Sequence, residues 1–193
     1  MRQLIKLLPL VTIAAATTIA LPAKAVSMSQ PNYTHINATY LDSSRSESGI
    51  FFDAEYELNH KLFVFGRYQN SSYRVVGGGS RRESLYDAGV GKYFTIADGV
   101  TMDFSASIGR LADGGNLFGS GMDFYTLNTS FRNRFEVFET RLGYRYINFD
   151  NAPSDSGAVA SGWWYFSPQF SLGVTFEEVY SGSSWGIGAR FSF

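Results

Sequence analysis

The chain carries few of the groups that enzymes use. It holds two histidines, His35 and His60, and no cysteine. A catalytic histidine works on a serine or carboxylate within hydrogen-bond reach. His35 opens an alternating run and His60 sits in the short stretch Asn59-His60-Lys61, so neither is set among such partners. With no thiol and no histidine pair there is no basis for a transition-metal site. "DGG" (113–115) and "DNAPSD" (150–155) offer oxygens of the kind calcium takes, but isolated loop carboxylates are ordinarily just solvated. These residues point to a non-enzymatic protein and assign no cofactor and no metal.

The ionised residues follow a rule of their own. Asp53 and Glu55 alternate with Ile50, Phe52, Ala54, Tyr56 and Leu58; Asp103 alternates with Val100, Met102, Phe104, Ala106 and Ile108. Arg67, Asp87, Glu139, Arg141, Arg145 and Arg190 likewise occupy the more polar of two alternating frames, with Glu57 and Glu177 nearer the run ends. A two-residue period places them on one face of strands and the apolar side chains on the other. Brought together, arginines and carboxylates pair bidentately. Such a set is either the charged lining of a pore or a plug of ion pairs that fills a narrow interior.

The elements that must position them are short strands. Turn signals divide residues 33–193 into ten runs, at 33–42, 49–58, 62–72, 84–94, 100–111, 122–131, 135–149, 159–167, 170–179 and 183–193. Most match the ~9–11 residues with which a tilted strand crosses a bilayer. Tight connections ("NHK", "TIADG", "RNR", "PQ") alternate with longer polar ones ("SSRSES", "YRVVGGGSRRE", "ADGGNLFGSG", "DNAPSDSGA"), and only the final "YSG" breaks the rhythm. Short turns at one end and longer loops at the other are the plan of a transmembrane barrel.

Alternation alone does not tell inside from outside, since a soluble lipocalin-like barrel puts its apolar frame inward. The inverted arrangement is favoured by a polar frame that combines Gly, Ser and Thr with paired acids and arginines and by the final Phe193, and the charges left on the apolar frame agree with it. Asp42, Lys92, Arg110, Asp123, Glu136 and Glu178 all lie near run ends. A charge on a barrel's lipid face costs roughly 2–4 kcal/mol at mid-bilayer and about 0–1 kcal/mol at the interface. Aromatics including Tyr40, Tyr68, Phe94, Phe131 and Trp185 also gather near the ends, as interfacial girdles do. Three residues sit awkwardly in this pattern: Phe63, Phe65 and Phe124 fall on the polar frame, where a bulge would re-aim them.

Residues 1–25 read as a secretory signal peptide, with Arg2 and Lys6, an apolar run from Leu7 to Leu21 and the small-x-small site Ala23-Lys24-Ala25. Its removal leaves a barrel domain of residues 26–193. Loss of Arg2, Lys6 and Lys24 takes 16 basic residues to 13 against 17 acidic, a net charge of −4. No basic field remains for nucleic acid.

The last residues, "SWGIGARFSF", alternate to the final atom. This ending, with the leader and the ten runs, resembles the small outer-membrane β-barrel proteins of Gram-negative bacteria, the OmpA/OmpX-like superfamily. Gly188, Phe191 and Phe193 match that family's C-terminal signal, polar-x-Gly-x-x-aromatic-x-aromatic; Gly186 stands where a polar residue is usual. The resemblance implies recognition of this segment by the barrel-assembly machinery. It also implies that an enzyme of this class would carry its site at the extracellular rim, away from both histidines.

The expectation is therefore a closed antiparallel transmembrane β-barrel of ten strands, or eight should the short eighth and ninth runs merge. Both ends of the mature chain would lie in the periplasm of a Gram-negative cell. Arg74, Arg81 and Arg82 flank "VVGGGS" just above the outer leaflet, where arginine could hold lipopolysaccharide phosphates or simply ride a mobile loop. The expected role is that of a monomeric, non-enzymatic surface protein with a charge-filled lumen, a narrow porin-like channel being the alternative.

Overall fold

A computed structural model describes residues 30–43, 48–74, 80–113, 121–179 and 182–193; the side chains of 73, 74, 80, 81 and 113 are not among those described. The expected signal peptide, residues 1–25, lies outside the described residues.

Ten strands form one closed antiparallel barrel: β1 (His35–Ser43), β2 (Ser48–Glu57), β3 (Leu62–Arg74), β4 (Ser80–Ala97), β5 (Val100–Asp113), β6 (Gly121–Phe135), β7 (Phe138–Phe149), β8 (Asp155–Tyr165), β9 (Phe170–Glu178) and β10 (Ser183–Ser192). Neighbours in sequence pair with each other, and β10 closes on β1 from His35↔Ser192 to Ser43↔Ser184. Closure leaves no strand edge with unpaired N–H and C=O groups, the condition for crossing hydrocarbon. The alternation of the sequence becomes an outer wall of large apolar side chains, with Ile108, Leu142 and Ile187 76%, 65% and 59% exposed, and a buried polar inner wall.

Four tight connections share one end of the barrel with the start of β1 and the end of β10. They are the Asn59–Lys61 3-10 turn, Asp98-Gly99, Glu136-Val137 and residues 166–169. Left-handed backbone at His60, Lys61, Glu136 and Gly99 makes three of them.

Several boundaries differ from the sequence reading. "RNR" (132–134) is not a turn: β6 runs on to Phe135, because Arg132 and Arg134 point inward to carboxylates and the chain reverses only at Glu136. The β3–β4 ladder extends to Arg74↔Ser80, so the expected eleven-residue connection 73–83 shrinks to 75–79. β4 likewise continues past 94 to Ala97, where the one register shift of its pairing with β5 falls. β8 starts at Asp155 rather than 159.

Phe63, Phe65 and Phe124 face inward without bulges. Glycines on the adjoining strand make room: a Cβ at Gly91 would enter the Phe63 ring, one at Gly89 would meet Phe65, and one at Gly109 would meet Phe124. Lys92 stays on the outer wall, its Nζ 5.5 Å from the Phe94 ring centroid, as a side chain reaching for the interface does.

Candidate functional site

The interior has three storeys. The lowest, at the short-turn end, is built around residues that the "RNR" turn assignment hid. Arg132, 1% exposed, donates to Glu55 at 2.7 and 3.0 Å and to Asp103 Oδ2 at 2.9 Å. Its guanidinium lies over Tyr33, 4.1 Å from the ring centroid. Tyr33 in turn stacks on Tyr93 at 4.2 Å and packs against Phe63 at 5.0 Å. Residues 31–34, which precede β1, thus enter the barrel mouth. The Asn32 N–H donates to Glu139 Oε2 at 3.0 Å, and the Tyr33 hydroxyl meets Thr101 at 2.9 Å. Burial pushes the Tyr33 hydroxyl above its ordinary pKa, with the Arg132 cation opposing in part.

Beside this layer Glu139 receives Arg190 Nη1 at 2.6 Å and Arg134 Nη1 at 3.4 Å. Arg190 also donates through Nε to Asn37 Oδ1 at 2.8 Å, and Arg134 lies over the Tyr165 ring. His35 is buried here with Nε2 3.7 Å from Asp53, whose two oxygens accept from Asn37 Nδ2. His35 meets a carboxylate and the Asn32 carbonyl, and His60 lies in the Asn59–Lys61 turn.

The middle storey holds Arg67 on Asp87 and Arg145 on Glu177, with Arg145 Nε donating to Asn128 at 2.7 Å. Arg141 donates to Ser130 at 2.9 Å and stands 3.7 and 3.8 Å from Glu55 and Asp103. At 25% side-chain exposure it is more open than Arg132, its register partner on β6, and a cavity of about 80 Å³ adjoins it. The lumen residues named from the sequence are therefore gathered into linked groups. Each is a charge removed from bulk water, so each depends on its partner: breaking such a pair costs about 3–5 kcal/mol.

The upper storey, toward the longer loops, holds an apolar cluster among polar side chains. Leu85, Phe124, Ile147, Val159 and Val179 form a buried cluster, joined by Leu111 and Phe149. Arg82 is exposed at this end, and Arg110 pairs with Asp123 across the outer wall at 3.2 Å. The side chains of Arg74 and Arg81 lie outside the described residues. At the closing seam Phe191 packs on Phe170 at 5.0 Å and on Phe193 at 6.0 Å, all on the outer wall, while Gly188 faces Thr39 too closely for a side chain.

Arg132 and Arg134 had a legible signal. In "NTSFRNRF", Asn128, Ser130, Arg132 and Arg134 keep one frame, and Phe131 and Phe135 the other. Tyr33 had none, because its partners lie in strands far along the chain.

No protein-family model matches the sequence, and no curated protein matches it. Solved structures do. KdgM porin is similar over 83% of this chain and 99% of its own, at 10% identity and a TM-score of 0.50. The COG4313 outer membrane channel from Pseudomonas putida F1 is similar over 90% and 100%, at 10% identity and 0.48. Neisserial surface protein A is similar over 82% and 95%, at 14% identity and 0.43. The closed antiparallel wall of this chain is thus a fold it shares with outer-membrane β-barrel proteins.

Proposed function

We propose that the protein is an integral outer-membrane barrel, sealed rather than conducting, that acts without catalysis through its outer end. The carrying observation is Arg132, clamped between Glu55 and Asp103 with Tyr33 beneath it. That layer closes the lumen at the short-turn end, which on this reading faces the periplasm. Small barrels have interiors that side chains fill, whereas 16–18 strands leave an aqueous channel. On the same reading residues 1–25 direct export, and the chain stands among the small OmpA/OmpX-like barrels as a monomer. Its strands meet outer-membrane lipids, Arg82 with Arg74 and Arg81 meets lipopolysaccharide phosphates, and Gly188, Phe191 and Phe193 present the last strand to the barrel-assembly machinery.

Planar-bilayer recording of the refolded protein tests this. The expected result is no discrete openings from protein whose folding is shown by heat-modifiable gel mobility. Openings whose size or ion selectivity changes in Arg141→Ala or Asp103→Ala would overturn the sealed reading. They would favour a narrow channel, for which the half-open Arg141, its adjoining cavity and the shared fold with KdgM porin speak.

A further inference from the structure

The upper storey stands apart from the Arg132–Tyr33 layer at the short-turn end. Inward positions that are polar lower down become Leu85, Leu111, Met122, Phe149 and Val179 toward the loops. These side chains line a cavity of about 590 Å³ that begins above the Arg145–Glu177 pair. Small-molecule sites are typically concave, mostly apolar and ~300–1,000 Å³. A water-filled mouth of this size would leave its apolar walls wet, at roughly 25 cal/mol for each Å² that an occupant could cover. The rest of the lining is polar: five serine and glutamine side chains and the carboxylates of Glu83, Asp155 and Glu177, the last already paired with Arg145. An ion entering would lose its hydration against the apolar part of the wall, a cost that an uncharged molecule does not meet.

From this we infer that the outer mouth of the barrel is a binding site for a small, uncharged, apolar molecule, held by Leu85, Leu111, Met122 and Phe149 above an ionic floor. The site goes beyond the sealed-barrel proposal. It needs no passage through the lumen, because the floor of ion pairs and the Tyr33 layer lie below it.

The test uses the whole mature barrel in lipid nanodiscs, with empty nanodiscs as the reference for partition into lipid. The neutral fluorophore N-phenyl-1-naphthylamine is titrated beside its anionic analogue, anilinonaphthalene sulfonate. The expected result is saturable enhancement with the neutral probe above the empty-disc signal, and at least tenfold weaker binding of the anion. Met122→Trp, which puts a larger side chain into the cavity, should weaken the saturable part at least tenfold. Leu111→Asn, close in size but polar, should weaken it at least tenfold and keeps the test decisive if the tryptophan variant does not fold. Absence of saturable binding, or binding unchanged in a folded variant, would overturn the site. Equal binding of the two probes would overturn its charge selectivity. Conductance does not enter these readouts, so failure here is distinct from failure of the sealed reading.

Discussion

Arg132 and Tyr33 meet face to face inside the barrel, the guanidinium 4.1 Å from the ring centroid, although one comes from β6 and the other from the segment before β1. The contact joins two kinds of stabilisation. Arg132 satisfies Glu55 and Asp103, and Tyr33 supplies both a π face below that cation and an aromatic stack with Tyr93. Segment, strands and charges are thereby fixed together at the short-turn mouth.

Arg132→Ala leaves two buried carboxylates without their principal cation. The expected loss of stability is about 3–5 kcal/mol, the range for breaking a buried pair. Urea unfolding in lipid vesicles measures it. Arg132→Lys should recover only part of the loss, because a single ammonium does not match the fork that grips Glu55 through two nitrogens.

Tyr33→Phe keeps the ring and removes the hydroxyl bonded to Thr101. About 1 kcal/mol should be lost at neutral pH. The Tyr33 pKa is raised in the folded barrel, so its contribution is present below the unfolded value of about 10 and is lost as pH rises through the folded one. Unfolding midpoints should therefore fall above about pH 10 in the parent, and the fall should be shallower in Tyr33→Phe. Equal slopes would remove Tyr33 from the alkaline transition.

Gly91→Ala forces a methyl group into the Phe63 ring. Overpacking of this kind costs about 1–3 kcal/mol. In a Phe63→Ala background the same change should be close to neutral, and the double-mutant cycle isolates the interaction. Independent costs would show that the glycine serves some other purpose.

How much of this was legible depends on the range of the signal. Alternation is local, so the ten strands and the inward frame of Asp53, Glu55, Asp103 and Arg190 could be read residue by residue. Turn chemistry misled at "RNR", because a basic triplet reads as solvated until its carboxylate partners on other strands are known; Arg134 finds Glu139 across a hairpin and Arg132 finds Glu55 across the lumen. Phe63 looked misplaced for the same reason, since the glycine that accommodates it lies on the neighbouring strand. The apolar cluster of the upper storey escaped notice because Leu85, Ile147 and Val179 each look ordinary within their own runs and become a wall only on closure.

Leu127 stands on the outer wall near the middle of β6, 52% exposed. Leu127→Arg should cost about 2–4 kcal/mol in lipid, against about 0–1 kcal/mol for Asn133→Arg at an exposed position nearer the end of the same strand. Unfolding titrations in vesicles measure both. Equal costs would mean that the outer wall does not face a membrane interior.

Phe193 provides a way to separate folding from delivery. Its ring is 61% exposed, and its backbone adds to the seam a single N–H donated to the Thr34 carbonyl at 3.3 Å. The ladder from His35↔Ser192 to Ser43↔Ser184 closes the barrel without it. Deleting Phe193 should therefore shift the stability of refolded barrel by less than about 1 kcal/mol, the scale of one exposed hydrogen bond. Inside the cell the same deletion should lower the membrane-inserted fraction severalfold if assembly machinery reads the terminal aromatic. Quantifying heat-modifiable protein in isolated outer membranes, beside refolding yield in vitro, gives both numbers. A parallel fall in the two would make Phe193 a structural residue of the seam, and an unchanged inserted fraction would remove it from the assembly signal.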